Sequence, residues 1–161
     1  MLKTLFILFL LFSFPMTSYS NESLTSTAEI GQLNGHRLPG VIARSLSQKR
    51  LITLPDGMGN ETIIEQTTRA ANTRTPIHLH EYGGITCVIE GEMTLFLENA
   101  NPKHAVAGEC YEMPAGLRMA GFNSGKTNAV MHDIFTLPLG GSVWQVTESG
   151  SKEFQDQFQH H

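Results

Sequence analysis

The sequence is poor in charged residues and in cysteine, and it has no long basic stretch. Charged residues make up 16% of its 161 positions, while 15 glycines and 7 prolines are scattered along the chain, which excludes a coiled coil. The 15 acidic residues outnumber 11 basic ones, and no basic cluster is longer than Lys49-Arg50, so a nucleic acid is not an expected partner. Hydrophobic residues account for 40% of the chain, which is too many for a disordered protein and typical of one compact domain.

Several catalytic motifs are also missing. The chain has no Gly-x-Ser-x-Gly turn, no glycine-rich loop of the kind that binds phosphate, and no Cys-x-x-Cys pair. If the protein has a chemical function, the residues around His78 and His80 are the place to look for it.

The first twenty residues have the pattern of a secretory signal peptide. Lys3 is followed by the apolar run Leu5–Phe14, which contains one serine, and then by Pro15 and the small residues of Ser18-Tyr19-Ser20. A helix that spans a bilayer needs about twenty apolar residues, so this run is too short for a membrane anchor. We expect cleavage after Ser20, and a mature protein that is periplasmic or secreted and not bound to a membrane.

The two cysteines, Cys87 and Cys110, have two interpretations at this point. In an oxidising compartment a pair of cysteines tends to form a disulfide. Free cysteine, however, is among the most buried residue types, so two buried thiols fit the sequence equally well.

Beyond residues 1–20 the chain divides into three parts. Residues 21–40 are small and polar without a period, and are predicted to be a loose N-terminal lead. Residues 41–148 alternate short β-branched and aromatic runs with glycine, proline and asparagine, which is typical of strands joined by turns. Residues 149–161 are predicted to be a tail or a short helix, with Ser151 as its candidate cap.

About ten strands without intervening helices indicate an all-β sandwich or closed barrel in a single domain. The predicted strands are Val41–Leu46, Leu51–Leu54, Thr62–Thr67, Pro76–His80, Ile85–Glu90, Met93–Glu98, Glu109–Met113, Arg118–Phe122, Val130–Leu137 and Val143–Thr147.

Two histidines share one predicted strand. His78 and His80 are separated by one residue in an extended stretch, so their side chains leave the same face and can converge on one point. Inside a barrel this arrangement supplies half of a site for a divalent metal, for which histidine is the commonest ligand.

The residues around these histidines resemble the two motifs of the cupin superfamily. His78-Leu-His80, followed by Cys87-Val-Ile-Glu-Gly91-Glu, resembles the first motif, whose second part is a strand, a turn and a strand. The segment from Gly108 to Asn123 resembles the second motif, and Pro114-Ala-Gly116 has the expected spacing within it. The resemblance covers roughly residues 63–139 and implies a cupin-type double-stranded β-helix, which is a jelly-roll barrel.

The resemblance is incomplete at the metal ligands. It implies a metal held by two histidines and a glutamate of the first motif and by a histidine of the second. Here the glutamate position falls on Gly84 or Ile85, and Met119 stands at the second-motif histidine. Only His78 and His80 remain, whereas a stable site needs about four to six donors.

Three other residues are candidates to complete the ligand set. Glu81 could turn inward at the glycines that follow it, although a solvated position at the rim suits it too. His132 lies on the Val130–Leu137 strand, and the sequence does not decide which face it takes. Met119 can supply a thioether, which would favour copper, although methionine also commonly fills core space. The divalent transition metals considered are Zn, Mn, Fe, Ni and Cu.

Two functions therefore remain open. One is a secreted cupin that binds a small-molecule ligand, and possibly a divalent metal through His78 and His80, in the barrel interior. The other is a metal-dependent cupin enzyme of the dioxygenase, isomerase or decarboxylase kind with an atypical third ligand. The missing ligands favour the first function.

The resemblance also has two structural implications. In a cupin jelly roll the strands of Cys87 and Cys110 are neighbours, and both cysteines would face outward, which implies a cross-strand disulfide. Cupins often pair through sheet edges, so a homodimer is expected.

Overall fold

The structure is a computed structural model that describes residues 31–158, so the predicted signal peptide lies outside the described residues. Within this range the chain forms fourteen strands and no α-helix, with one short 3-10 helix at Lys152–Phe158. The strands are β1 Gln32–Leu33, β2 His36–Arg37, β3 Val41–Ile42, β4 Ser47–Pro55, β5 Asn60–Arg69, β6 Thr73–Arg74, β7 His78–Leu79, β8 Gly84–Glu90, β9 Glu92–Leu97, β10 Lys103–Val106, β11 Cys110–Met113, β12 Met119–Phe122, β13 Ala129–Pro138 and β14 Gln145–Val146. No helix among residues 31–158 is long and apolar enough to cross a membrane.

Two larger sheets form the body of the molecule. One has the strand order β11-β8-β13-β5-β4, and the other has the order β10-β9-β12-β6-β3, with β7 joining β12 to β14. Both sheets contribute side chains to one hydrophobic core, which includes Val88, Met131 and Phe135 from the first and Leu95 and Met119 from the second. The sheets therefore pack face to face, and the all-β jelly-roll prediction is confirmed.

Alternation along the strands defines the inner face. In β13 every second residue from Ala129 to Leu137 is buried, and in β5 the buried positions are Ile63, Glu65, Thr67 and Arg69. Successive side chains of a strand point to opposite faces, so these positions look into the space between the sheets. Several of them are polar, which is unusual for a core of this size.

Gly91 forms the tight turn between β8 and β9, the strand-turn-strand expected from the first motif. Its φ of 76° lies in the left-handed region, and an added Cβ would approach the Asn128 carbonyl oxygen to 2.9 Å. Both constraints favour glycine at this position.

A disulfide between Cys87 and Cys110 joins β8 to β11. The two residues are direct cross-strand partners, and no free cysteine remains among the described residues. The pairing implied by the family resemblance is therefore present in the fold.

The N-terminal lead differs from its prediction over residues 31–40. Strands β1 and β2 pair as a hairpin in this region, so it is not loose. Leu33 and Leu38 are buried against Ile77 and Ala120, and this contact holds the hairpin on the barrel. Strands β6 and β10 are also absent from the predicted set, whereas the short helix near the C-terminus is present as a 3-10 helix.

Candidate functional site

His78 and His80 both lie inside the barrel. Strand β7 carries His78, and His80 is the residue that directly follows this strand; the two side chains are 4% and 2% exposed. Their Nε2 atoms are 3.2 Å apart, and the two rings meet edge to face with centroids separated by 4.9 Å. The two imidazoles thus converge on one point.

Backbone carbonyls fix which nitrogen of each ring is protonated. His78 Nδ1 lies 2.8 Å from the Pro76 carbonyl oxygen, and His80 Nδ1 lies 2.7 Å from that of Val143. A carbonyl oxygen only accepts a hydrogen bond, so each Nδ1 donates its proton. A neutral imidazole has one N–H, and both Nε2 atoms are therefore unprotonated acceptors that face each other.

Burial keeps both rings neutral. It lowers the pKa of His78 well below 6.5, and the charges of His80 and Arg69 lower it further. Burial also lowers the pKa of His80 to about 4, against the opposing effect of its bond to the Val143 carbonyl. At neutral pH the pair has no proton with which to bridge its two lone pairs.

Aromatic rings enclose the pair. The ring of Trp144 lies 4.7 Å from that of His78, and the ring of Phe135 lies 4.9 Å from that of His80, between centroids. Trp144 is held by the C-terminal segment, which the buried Glu148 anchors through bonds of 2.8 and 2.9 Å to the Arg74 guanidinium. The C-terminal segment thus forms one wall of the site.

A cavity of about 40 Å³ adjoins the histidines. A water-sized group needs about 10–15 Å³ on this measure, so the cavity has room for about three such groups. Besides the two histidines its walls contain both polar and apolar side chains. The polar residues are Thr67, Arg69, Thr75, Thr86, Tyr111 and Asp133, and the apolar ones include Met93, Leu95, Met113, Met131, Phe135 and Trp144.

Three of the polar lining residues, Thr86, Tyr111 and Asp133, belong to one cross-strand row on the inner face of the five-stranded sheet. The register places Tyr111 opposite Thr86, Thr86 opposite Asp133, Asp133 opposite Glu65, and Glu65 opposite Arg50. Each of the five strands therefore contributes one polar side chain to the same row, at positions where a strand that packs on a core normally has an apolar residue.

Asp133 is the centre of this row. Thr86 Oγ1 donates to its Oδ1 at 2.6 Å, and Thr67 Oγ1 donates to its Oδ2 at 2.9 Å. Burial raises the pKa of the Asp133 carboxyl, the two hydroxyls lower it, and the neighbouring Glu65 raises it again. Glu65 itself is paired with the Arg50 guanidinium at 2.9 Å.

Arg69 extends from β5 toward the same cavity and is only 2% exposed. Burial lowers the pKa of its guanidinium to about 10, so the group is charged at neutral pH. Burial also raises the pKa of the neighbouring Tyr111 phenol, which remains neutral. The cavity lining thus contains one buried cation beside neutral and acidic hydrogen-bonding groups.

Of the three other candidate metal ligands, Glu81 and His132 lie away from the histidine pair, and Met119 lies near it but offers a thioether. Glu81 is exposed. His132 faces away from the core, because it is the register partner of the outward Cys87 and its Nε2 lies 3.4 Å from Gln66 Oε1. Met119 is fully buried and is the direct register partner of His78, so the two side chains share the inner face.

The ligand set that the family resemblance implies does not fit this interior. No group of three or more His, Cys, Asp or Glu side chains among residues 31–158 could hold a metal ion. The family glutamate would stand at Gly84 or Ile85: at Gly84 an added Cβ would lie 2.7 Å from the Phe135 ring, and Ile85 is exposed on the outer face. Phe135 occupies the space that a carboxylate ligand would need, and Met119 replaces the second-motif histidine.

Four residues that line the cavity were not predicted from the sequence: Arg69, Asp133, Tyr111 and Trp144. Arg69 lies in β5, Asn60–Arg69, which has polar residues on both faces. The alternation of polar and apolar residues therefore does not show which face of this strand is buried. Asp133 had a usable signal, because the alternation Ala129, Met131, Phe135, Leu137 places it in the apolar series of β13.

Comparisons with known proteins identify the fold. No protein-family profile and no curated protein matches the chain. Among solved structures, a double-stranded β-helix protein from Klebsiella pneumoniae is 19% identical with a TM-score of 0.51, over 67% of this chain and 91% of its own. The DMSP lyase DddQ from Ruegeria pomeroyi is 16% identical with a TM-score of 0.54, over 66% and 54%. The polyketide cyclase RemF from Streptomyces resistomycificus is 18% identical with a TM-score of 0.52, over 79% and 87%.

These similarities, with the two facing sheets and the inward histidines, define a double-stranded β-helix. The chain has the cupin fold, as its two motifs imply. At 16–19% identity the neighbours establish this fold and not an activity.

Proposed function

We propose that this protein is a cupin that binds a small molecule inside its barrel, with the Nε2 atoms of His78 and His80 accepting hydrogen bonds from it. The observation that carries the proposal is the approach of these two acceptors to 3.2 Å while each Nδ1 donates to a backbone carbonyl.

Two lone pairs that face each other in a closed space repel, and each loses the water that would otherwise donate to it. A buried acceptor without a donor costs about 1–3 kcal/mol. A ligand that brings O–H or N–H groups to this point would offset that cost at both histidines. The cavity limits such a ligand to a few non-hydrogen atoms.

The geometry supports binding over metal-dependent catalysis. Phe135 fills the space beside Gly84, and Met119 stands at the second-motif position, so two of the four family ligands have no counterpart. The charge of Arg69 also acts against a positive charge at His78, as its effect on the pKa of that ring indicates. His78, His80 and Met119 would favour copper if they bound a metal at all.

A titration followed by the fluorescence of Trp144 tests the proposal, because this is the only tryptophan of the chain and it contacts His78. The smallest alcohols, amides and acids, of about two carbons, are the probes, because the cavity holds only a few non-hydrogen atoms. We expect saturable binding by the protein and its loss in the double variant His78→Leu/His80→Leu. His104→Gln, an exposed histidine, is the matched control.

Metal analysis of protein purified without chelators completes the experiment. Equal binding by the protein and the double variant, or no binding of any probe, would contradict the proposal. Stoichiometric metal that is lost in the double variant would replace it with a metal site. The secretion of the protein is part of the same proposal, and a mature N-terminus at Asn21 is its expected sign.

A further inference from the structure

Arg69 is a buried cation whose hydrogen-bonding capacity is largely unused. Its guanidinium carries five N–H groups, and within residues 31–158 it makes one hydrogen bond, from Nη1 to the Ala43 carbonyl oxygen at 3.0 Å. The side chain is 2% exposed and lines the cavity. Most of its donors therefore have no protein acceptor in the described part of the chain.

The contrast with Arg74 shows that this arrangement is not a general property of buried arginines in the fold. Arg74 is 5% exposed and forms a two-bond pair with the Glu148 carboxylate at 2.8 and 2.9 Å. Arg69 has no carboxylate within salt-bridge distance among the described residues. A buried charge without a paired partner is costly, so a fold that retains one has a reason to do so.

Asp133 does not take the place of that partner. Both of its oxygens accept hydrogen bonds from threonine hydroxyls, Thr86 at 2.6 Å and Thr67 at 2.9 Å. It contributes a favourable charge to Arg69 from beyond contact distance. Glu65, the other carboxylate of the row, is held by Arg50 and Gln48.

We infer that the ligand of the barrel is a small carboxylate, anchored at one end by the Arg69 guanidinium and at the other by a hydroxyl that donates to His78 and His80. This inference rests on the proposed function and names the ligand's chemical class. A guanidinium fork matches the two oxygens of a carboxylate, and the planar group is the preferred partner for such recognition.

The other walls agree with a short chain between the two ends. Met113, Met131 and Phe135 supply apolar lining, and the space of about 40 Å³ restricts the ligand to the smallest carboxylates, such as acetate or glycolate. A 2-hydroxy acid has both the anionic end that Arg69 would bind and the hydroxyl donor that the two histidines would accept. Glycolate is the simplest such molecule.

The test compares glycolate with ethylene glycol, which has the same hydroxyl but no charge, and acetate with acetamide. Each is titrated into the protein and into Arg69→Met, Arg69→Lys and the control Arg118→Met, with Trp144 fluorescence as the signal. Arg118 lies on Glu98 outside the cavity. We expect glycolate to bind the protein and Arg118→Met alike, and Arg69→Met about tenfold or more weakly, the loss of a charge-assisted bond. Arg69→Lys should bind with intermediate affinity, since it keeps the charge and loses the fork.

If Arg69→Met does not fold, the comparison of glycolate with ethylene glycol in the wild-type protein still tests the inference. Ethylene glycol that binds as tightly as glycolate would overturn the carboxylate assignment while leaving the proposed function intact. Chloride that displaces glycolate at equal concentration would also overturn it, because the site would then recognise only charge. If none of the four molecules binds, and the histidine variants change nothing, the proposed function fails as well.

Discussion

At the scale of single residues, the neutral histidines make the protein sensitive to acid. Burial lowers the pKa of His80 from 6.5 to about 4, so between these values the unfolded chain binds a proton that the folded protein does not. The contribution of His80 to the free energy of unfolding is therefore fully present above pH 6.5 and is lost as the pH falls through 4, by about 3 kcal/mol in all.

Urea denaturation between pH 7 and pH 4.5 measures this effect. We expect a decrease in stability with falling pH in the protein and in His104→Gln, and a shallower one in His80→Gln. An equal slope in His80→Gln would show that His80 is not buried as a neutral base.

Gly84 is a second residue with a defined requirement. The Gly84→Ala methyl group would lie 2.7 Å from the Phe135 ring and 2.9 Å from the Ile134 carbonyl oxygen, so ring or backbone must move. We expect a loss of about 1–3 kcal/mol in stability by thermal or urea unfolding. At Gly121 an added Cβ would be 3.5 Å from Met93, an ordinary contact, and Gly121→Ala is the control that should be nearly neutral. A neutral Gly84→Ala would mean that Phe135 does not fill this space.

At the same scale, the sequence predicted part of the site. A spacing of two on an extended segment was enough to place His78 and His80 side by side, because a strand repeats every two residues. The position of Arg69 in the cavity could not be predicted in this way, since the inner face of β5 contains polar residues and a polar residue is normally expected to face solvent. The fates of Glu81 and His132 depended on the bend after His80 and on the register of β13 with β8, which no local pattern encodes.

At the scale of elements, the disulfide joins β8 to β11, which lies at the edge of its sheet. The bond closes a loop with a sequence separation of 23 residues, for which the chain-entropy model gives about 3 kcal/mol of stability. We expect Cys87→Ser/Cys110→Ser to lose about this amount in urea unfolding. Mass measurement after alkylation without reductant should detect no free thiol in the protein, and two free thiols would contradict the pairing.

The elements that the sequence missed have physical explanations. The β1–β2 hairpin turns at Asn34-Gly35, whose φ values of 55° and 75° suit the turns that join antiparallel strands, a signal obscured by the polar composition around it. Strand β10, Lys103–Val106, is not predicted by the sequence, because Asn101-Pro102 before it is typical of a turn, and its strand conformation depends on pairing with β9. Strands β5, β8, β9 and β13 were predicted to within two residues at each end, because packing on the core selects their β-branched and apolar residues. The largely exposed β4 was predicted only over Leu51–Leu54.

At the scale of the whole molecule, the edge strand β4 is a candidate surface for the expected homodimer. It is nine residues long, lies at the end of its sheet, and exposes Leu51, Ile52 and Leu54 at 40–51%. Long apolar edge strands pair readily with another strand. We expect Leu54→Lys to shift the protein toward monomer in sedimentation velocity, while Ile89→Lys, on the outer face of β8, leaves association unchanged. A monomeric wild-type protein would remove this proposal.

The proposed ligand site depends on the protonation of two imidazole rings, His78 and His80, in the barrel. NMR of protein with ¹⁵N-labelled histidine side chains reports this directly, with His78→Gln and His80→Gln to assign the signals. At pH 7 we predict that both rings are neutral, protonated at Nδ1 and free of hydrogen at Nε2. A proton on either Nε2, or a charged ring at that pH, would contradict the claim that the barrel presents a pair of acceptors to its ligand.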